Sequence, residues 1–162
     1  MGRELRMVPK GWEHPKDEKG KYIPLLGGSY SERVKAWDEE NEQWQKGFCS
    51  NYHGGWKPKE EKYKDVSFDE WDGSRPLKEN YMPEWTREEA VMLVMYEDTS
   101  EGTPISPAFE TPEELAYWLA NNGASAFGAI TATYKEWLIT IKKGYAIGAI
   151  IDSKGMRPGV GL

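Results

Sequence analysis

The stretch from Met92 to Ile151 holds the densest apolar run of the chain and its two clearest helix signals, so a core has to be built around it. Thr111-Pro112-Glu113-Glu114 is a capping box. The Thr hydroxyl accepts from the Glu114 N–H, and the Glu114 carboxylate reaches back to the Thr N–H. Pro112 falls at the first helical position, where no N–H is needed. Leu115, Trp118 and Leu119 follow at i, i+3 and i+4 as one apolar face, and Asn121-Asn122-Gly123 supplies a left-handed stop. Thr133-Tyr134-Lys135-Glu136 repeats the box. Tyr134, Trp137, Leu138 and Ile141 form its stripe, Lys142 and Lys143 suit the negative helix end, and Gly144 ends it. Between the helices, 123–131 is a small-residue linker whose Phe127 and Ile130 are predicted to enter the core.

The flanks read as strands. Met92 to Tyr96 and Thr103 to Phe109 enclose a polar, Gly-ending turn and predict a hairpin. Pro104 and Pro107 lack donors, which makes the second strand short or places it at an edge. Tyr145 to Ile151 is a further apolar run, expected to pair with that hairpin. The fold class that follows is α+β: a small antiparallel sheet with helices packed on one face, plus an aromatic-rich irregular N-terminal half. A rival starts from the box Thr86-Arg87-Glu88-Glu89, which predicts a helix running through Ala90 to Met95.

At 162 residues a single domain is expected, with 1–85 as an irregular arm carrying one helix near 30–46, 86–155 as a compact α+β core, and 156–162 as a tail. Arg3 to Val8 and Tyr22 to Leu26 read as short strands around the charged loop Lys10 to Lys21. This arm is expected to dock by Leu5, Val8, Trp12, Tyr22 and Ile23. Ser29-Tyr30-Ser31-Glu32 opens a third helix, with Val34, Trp37 and Trp44 on one face, Asn41 as its polar interruption and Gly47 as its end. Its outer surface is acidic: Asp38, Glu39, Glu40 and Glu42. The least regular segment, 48–84, either wraps the core through Phe68, Trp71 and Tyr81, with Trp85 just beyond it, or exposes them as a binding arm.

Charge and motif content narrow the function. A net charge of −6 argues against nucleic-acid binding driven by phosphates. No apolar run approaches the roughly 20 residues needed to span a bilayer. The opening MGRELRMVPKGW lacks the apolar segment of a secretory signal, so the expectation is a cytoplasmic protein. Cys49 is the one cysteine, and with His14 and His53 it shows none of the recognised metal spacings, so neither a disulfide nor a metal is expected. Walker, Rossmann and nucleophile-elbow patterns are missing, which leaves no cofactor motif.

The weak catalytic candidates are His53, which titrates near neutrality, and Cys49 four residues before it. In an irregular segment such residues are more often bystanders. The unusual feature is aromatic content: eight tryptophans and nine tyrosines in a charged chain. Such rings either enlarge a small core or serve as interface anchors. The candidate partner surface is Trp12, Trp56, Trp71 and Trp85, joined by the acidic residues Asp38, Glu39 and Glu42. The alternative is a small-ligand site at the polar turn, formed by Glu97, Asp98, Thr99, Ser100 and Thr103, with His53 contributing.

Two stretches carry a resemblance. Val8-Pro9-Lys10-Gly11-Trp12-Glu13-His14-Pro15-Lys16, followed by Tyr22-Ile23-Pro24-Leu25, is one. The other is the run from Met95-Tyr96-Glu97 to Ile105-Ser106-Pro107, followed by Pro112-Glu113-Glu114-Leu115-Ala116 and Trp118-Leu119. Both resemble a family of small accessory proteins of tailed bacteriophages and prophages. The likeness covers both ends of the chain, is weaker from Cys49 to Pro83, and brings no catalytic residue with it. It implies a phage-encoded cytosolic protein in an infected bacterium. The first expectation is therefore a non-enzymatic protein that binds and modulates a host or phage protein, in host takeover or against host defence. A protein binding a small molecule or nucleotide signal, or an enzyme acting on one, is second. An acidic DNA mimic is third.

Overall fold

The computed structural model describes residues 2–98, 102–146, 148–153 and 155–162. In chain order its elements are β1 (Arg3–Val8), α1 (Tyr30–Gln45), β2 (Phe48–Ser50), β3 (Trp56–Pro58), α2 (Phe68–Asp72), β4 (Met92–Glu97), β5 (Thr103–Pro104), α3 (Pro112–Asn121), α4 (Tyr134–Lys143), β6 (Tyr145–Ala146), β7 (Ala149–Asp152) and β8 (Gly155–Pro158). They fall into two compact units, one of Met1–Gly27 with Pro83–Leu162, the other of Gly28–Met82.

The first unit is α+β. Its antiparallel sheet has the order β5-β4-β1-β6, with β1 paired to β4 from Arg3 opposite Glu97 to Val8 opposite Met92. Side chains alternate across a strand, so β4 feeds two layers at once. Leu93 and Met95 point to α3 and α4, where they join Leu115, Leu119, Trp137 and Ile141 in a buried core. Val94 and Tyr96 point the other way and are also buried, as are Arg6 and Val8 of β1. Burial on both faces explains why Leu93 to Tyr96 read as a continuous apolar run. Both helices start as their boxes require: Thr111 and Thr133 accept from the third residue onward, and Glu114 and Glu136 reach back. Gly144 closes α4 in a left-handed turn at φ 93°.

The structure decides between the two readings of the segment after Thr86 in favour of the strand, keeps the second hairpin arm short and at an edge, and departs from the sequence reading elsewhere. The Thr86 box forms, with the Glu89 N–H donating to Thr86 Oγ1 at 3.3 Å, but only one turn follows before β4 begins. Burial of the β4 side chains on two faces outweighs local helix signalling there. The second hairpin arm is a strand only at Thr103–Pro104, plus a bridge from Phe109 to Leu93, in keeping with its two prolines. The run Tyr145 to Ile151 does not join that hairpin. β1 already occupies the free edge of β4, so Tyr145–Ala146 pairs with β1 instead, and Ala149–Asp152 pairs with β8 in a separate ribbon. Tyr22 to Leu26 is not a strand; Tyr22 makes a single bridge to Lys16. In the linker, Ala126 is buried while Ile130 is exposed and Phe127 half-buried. Gly128 at φ 54° turns the chain so that Phe127 and Ile130 pair across a tight loop. In the arm, Val8 and Leu25 are buried, whereas Tyr22 and Ile23 are exposed. The tail docks: Val160 is buried, and the Gly161 N–H donates to Thr140 Oγ1 at 2.8 Å.

The second unit gives the middle of the chain a core of its own. Ser29 caps α1 by accepting from the Glu32 N–H at 3.2 Å. Trp37 and Trp44 on α1 bury against Phe68, with Tyr63, Val66 and Cys49 around them. Each indole N–H finds a carbonyl, Trp37 donating to Gly73 O at 3.0 Å and Trp44 to Val66 O at 2.7 Å. The β2–β3 hairpin turns on Asn51, whose Oδ1 accepts from the His53 and Gly55 N–H groups at 2.9 and 3.0 Å. Neither this hairpin nor α2 is signalled by the periodicity of the sequence, because each is too short for one.

Candidate functional site

The face of the first unit's sheet that turns away from α3 and α4 carries a cleft of about 550 Å³. Val94 and Tyr96 form its floor, and Trp12, His14 and Tyr22 of the N-terminal arm form one wall. Pro104, Ser106 and Pro107 form the other. Ser106 stands where a regular strand would continue, and its hydroxyl accepts from the Met95 N–H at 2.9 Å.

His14 organises the cleft. It is 8% exposed, with Nε2 2.6 Å from Ile23 O and Nδ1 2.9 Å from the Tyr96 hydroxyl. A carbonyl can only accept, so Nε2 carries the proton. The neutral ring then presents Nδ1 as an acceptor, and the Tyr96 O–H donates to it. Burial lowers the pKa of His14; the bond to Ile23 opposes this and the Arg6 charge reinforces it. Burial pushes the Tyr96 phenol up, so it keeps its proton. Arg6 lies over the Tyr96 ring at 4.3 Å and donates to Glu4 Oε2 and Leu25 O, each at 2.9 Å. A chain of groups from Glu4 through Arg6, Tyr96 and His14 to Ile23 therefore locks the arm onto the sheet.

The rings offered to a ligand are Trp12 and Tyr22. Trp12 meets His14 edge-on at 5.6 Å and Trp85 at 5.1 Å. Tyr22 meets His14 at 5.5 Å and holds the Lys16 ammonium 5.0 Å from its centroid. Glu13 also lines the cleft, so its mouth carries both signs of charge. Such a site can seat an apolar or planar group between rings. Proton transfer is a poor fit, since both His14 nitrogens are engaged within the protein.

The second unit has a smaller cup of about 250 Å³. Trp44 and Trp71 stack at 5.2 Å with 25° between their planes, and Tyr63 meets Trp71 at 4.3 Å. Lys59 Nζ lies 4.6 Å from the Trp44 centroid.

The residues expected from sequence are scattered over both units. Cys49 lines the cup and His53 sits exposed on the hairpin turn; no hydrogen bond joins them among the described residues. Trp56 and Trp71 are exposed in the second unit, and Trp12 and Trp85 touch in the first. Asp38 accepts two bonds from Arg75, both at 2.8 Å, and Glu42 pairs with Lys46 at 2.5 Å, while Glu39 is exposed. Glu97 ends β4 opposite Arg3, and Thr103 pairs with Glu97. Burial lowers the pKa of Arg3 and the charges of Glu97 and Asp98 oppose that, while the Arg3 guanidinium donates to Ser125 O, Ser125 Oγ and Gly2 O. Thr99 and Ser100 lie outside the described residues.

Sequence reasoning passed over the His14–Tyr96 pair, whose members stand 82 positions apart. The available signal was a tyrosine within the most apolar strand, since a buried phenol needs a partner. Among the described residues no group of three or more His, Cys, Asp or Glu is placed to hold a metal ion, and no helix is long and apolar enough to cross a membrane. Comparison with protein-family models, curated proteins and solved structures finds no match for this chain.

Proposed function

We propose that this chain is a non-enzymatic accessory protein of phage origin. It captures a short segment of a host or phage protein in the aromatic cleft of its first unit and thereby alters that partner's activity. The observation that carries this reading is the state of His14: with both nitrogens engaged, the histidine that lines the cleft acts as a brace, and the surface left to a ligand is Trp12 and Tyr22. Tryptophan and tyrosine give large contact area at little conformational cost, since each orders only two side-chain torsions. The phage setting and the cytoplasm of an infected bacterium rest on the resemblance of the chain's two ends. An acidic DNA mimic draws less support, because Asp38 and Glu42 already face cations of the same unit.

The test is capture from infected and uninfected bacterial lysates with the tagged chain and with the double variant Trp12→Ala, Tyr22→Ala, read by mass spectrometry. One partner retained by the native chain and lost by the variant is the expected result. A partner held equally by both overturns the assignment to this cleft.

A second reading has one observation in its favour. A volume of about 550 Å³ lies within the range of roughly 300–1,000 Å³ typical of small-molecule sites. Thermal shift against a nucleotide panel decides it, because a ligand at about 100 times its dissociation constant stabilises by about 2.7 kcal/mol. A shift abolished by Trp12→Ala favours the small ligand over the protein segment.

A further inference from the structure

We propose that the cup of the second unit is a receptor for one lysine or arginine side chain presented by a partner protein, and that Lys59 occupies that seat in the free chain. The inference is independent of the cleft in the first unit.

Its walls have the right electrostatics. The faces of Trp44, Tyr63 and Trp71 carry the negative end of the ring quadrupole, and a cation within about 6 Å of such a centroid is attracted to it. Lys59 already shows this attraction, with its ammonium 4.6 Å from Trp44. The Lys59 backbone is fixed just after β3 by its N–H bond to Gly47 O at 2.9 Å, whereas its four-carbon stem is flexible. A long, flexible cation on a ring is an occupant that a better-placed one can replace.

The carboxylates point to the same ligand class. Glu40, Glu60 and Asp72 line the cup. Glu60 is paired to Lys62 at 2.9 Å and Asp72 to Arg33 at 3.5 Å. Glu40 is half-buried and has no ion-pair partner among the described residues, and the Lys59 ammonium meets no carboxylate among them. Lys57 also lines the cup, so its charges are mixed, with Glu40, Lys57 and Lys59 outside any ion pair among the described residues. A guest ammonium or guanidinium that displaces Lys59 reaches both the rings and Glu40. An anion would find Lys57 but would meet Glu40 and the negative ring faces, and a neutral ring would make no use of Glu40. A volume of about 250 Å³ suits one long side chain and falls below the roughly 300 Å³ at which drug-sized sites begin. Trp71, 41% exposed, is the face available to an incoming group.

The experiment uses the full chain with ¹⁵N-labelled tryptophan, titrated with three short blocked peptides that differ only in a central Lys, Arg or Glu. The Trp44 and Trp71 indole signals, assigned with Trp→Phe variants, are expected to shift with the Lys and Arg peptides and stay still with the Glu peptide. Lys59→Gln is expected to tighten binding several-fold, because the internal occupant no longer competes. Glu40→Gln should weaken it several-fold, and Trp71→Ala should abolish it. The Trp37 indole, bonded to Gly73 O, reports whether each variant keeps the unit folded. If Trp71→Ala unfolds the unit, Glu40→Gln and Lys59→Gln still decide the matter. Equal responses to the Lys and Glu peptides, or an affinity indifferent to Lys59→Gln, overturn the proposal. The variant Trp12→Ala, Tyr22→Ala should leave this titration unchanged, so failure here is distinguishable from failure of the cleft.

Discussion

The two concavities are built from the same aromatic residue types but are held open by different forces. In the first unit, ring positions depend on a polar chain: His14, Tyr96, Arg6 and Glu4, joined across distant parts of the sequence. In the second, rings pack directly on one another within 37–71, and polar atoms only anchor their edges. A hydrogen-bonded wall responds to protonation and to loss of one partner. A packed wall responds to lost volume. The same cleft chemistry can therefore fail in two separable ways.

The largest expected effect sharpens that contrast. Trp44→Ala removes a ring that is 3% exposed and touches Tyr63, Phe68 and Trp71. Truncating a buried tryptophan costs about 3–5 kcal/mol. Protection from hydrogen exchange should be lost across Gly28–Met82. Retention of that protection would show that the rings decorate this unit without supporting it.

Next comes the turn that anchors the first unit's arm. Gly102 sits at φ 55°, and its carbonyl accepts from the Leu25 N–H at 3.0 Å. A Cβ there would run into the Leu25 carbonyl. Gly102→Ala combines left-handed strain of about 1–3 kcal/mol with that collision. Denaturant melts should show the loss, and proteolysis at Lys19 or Lys21 should accelerate as the arm lifts. Unchanged proteolysis would mean that His14 alone suffices to hold the arm.

Tyr96→Phe is smaller and tests the polar wall itself. It leaves the buried Nδ1 of His14 without its donor, at a cost of about 1–3 kcal/mol. The pH dependence follows from the same group. The folded-state pKa of His14 lies below its ordinary value near 6.5, so the unfolded chain binds the proton more readily. Stability therefore rises with pH through the interval below about 6.5 and is lost on acidification. Melting temperature should fall between pH 7 and pH 5 in the native chain, with a flatter profile in His14→Asn. Parallel profiles would assign the acid sensitivity to other groups.

Much of the first unit was legible in the sequence because its signals are local. Capping boxes at Thr111 and Thr133 specify α3 and α4 through three-residue contacts, and the prolines at 104 and 107 shorten β5 through missing donors. The position of β1 was not legible. Choosing between β1 and the 145–151 run as the neighbour of β4 depends on long-range competition for one edge, and β1, with Arg3, Glu4 and Arg6 among its six residues, carries the weaker apolar pattern. The cleft was hidden for the same reason. Trp12 was singled out, yet its neighbours His14 and Tyr96 become a pair only through the sheet. In the second unit the α1 face gave Trp37 and Trp44, but the rings that complete the cup stand on elements too short to have a period.

The smallest expected effect tests whether ions share in holding the second unit. Arg75 and Asp38 form a bidentate pair at 2.8 Å, and the Arg75 hydrogen bonds hold the Asp38 carboxyl below its ordinary pKa. Both side chains are half exposed, at 49% each. Water and salt screen such pairs, and ordering two side chains offsets most of the attraction. Arg75→Ala should leave the melting temperature within error at 0.15 M salt, even though the pair is the best-formed ion pair on the acidic face of α1. A clear drop, enlarged at low salt, would place electrostatics beside ring packing in this unit and erase the difference between the two walls.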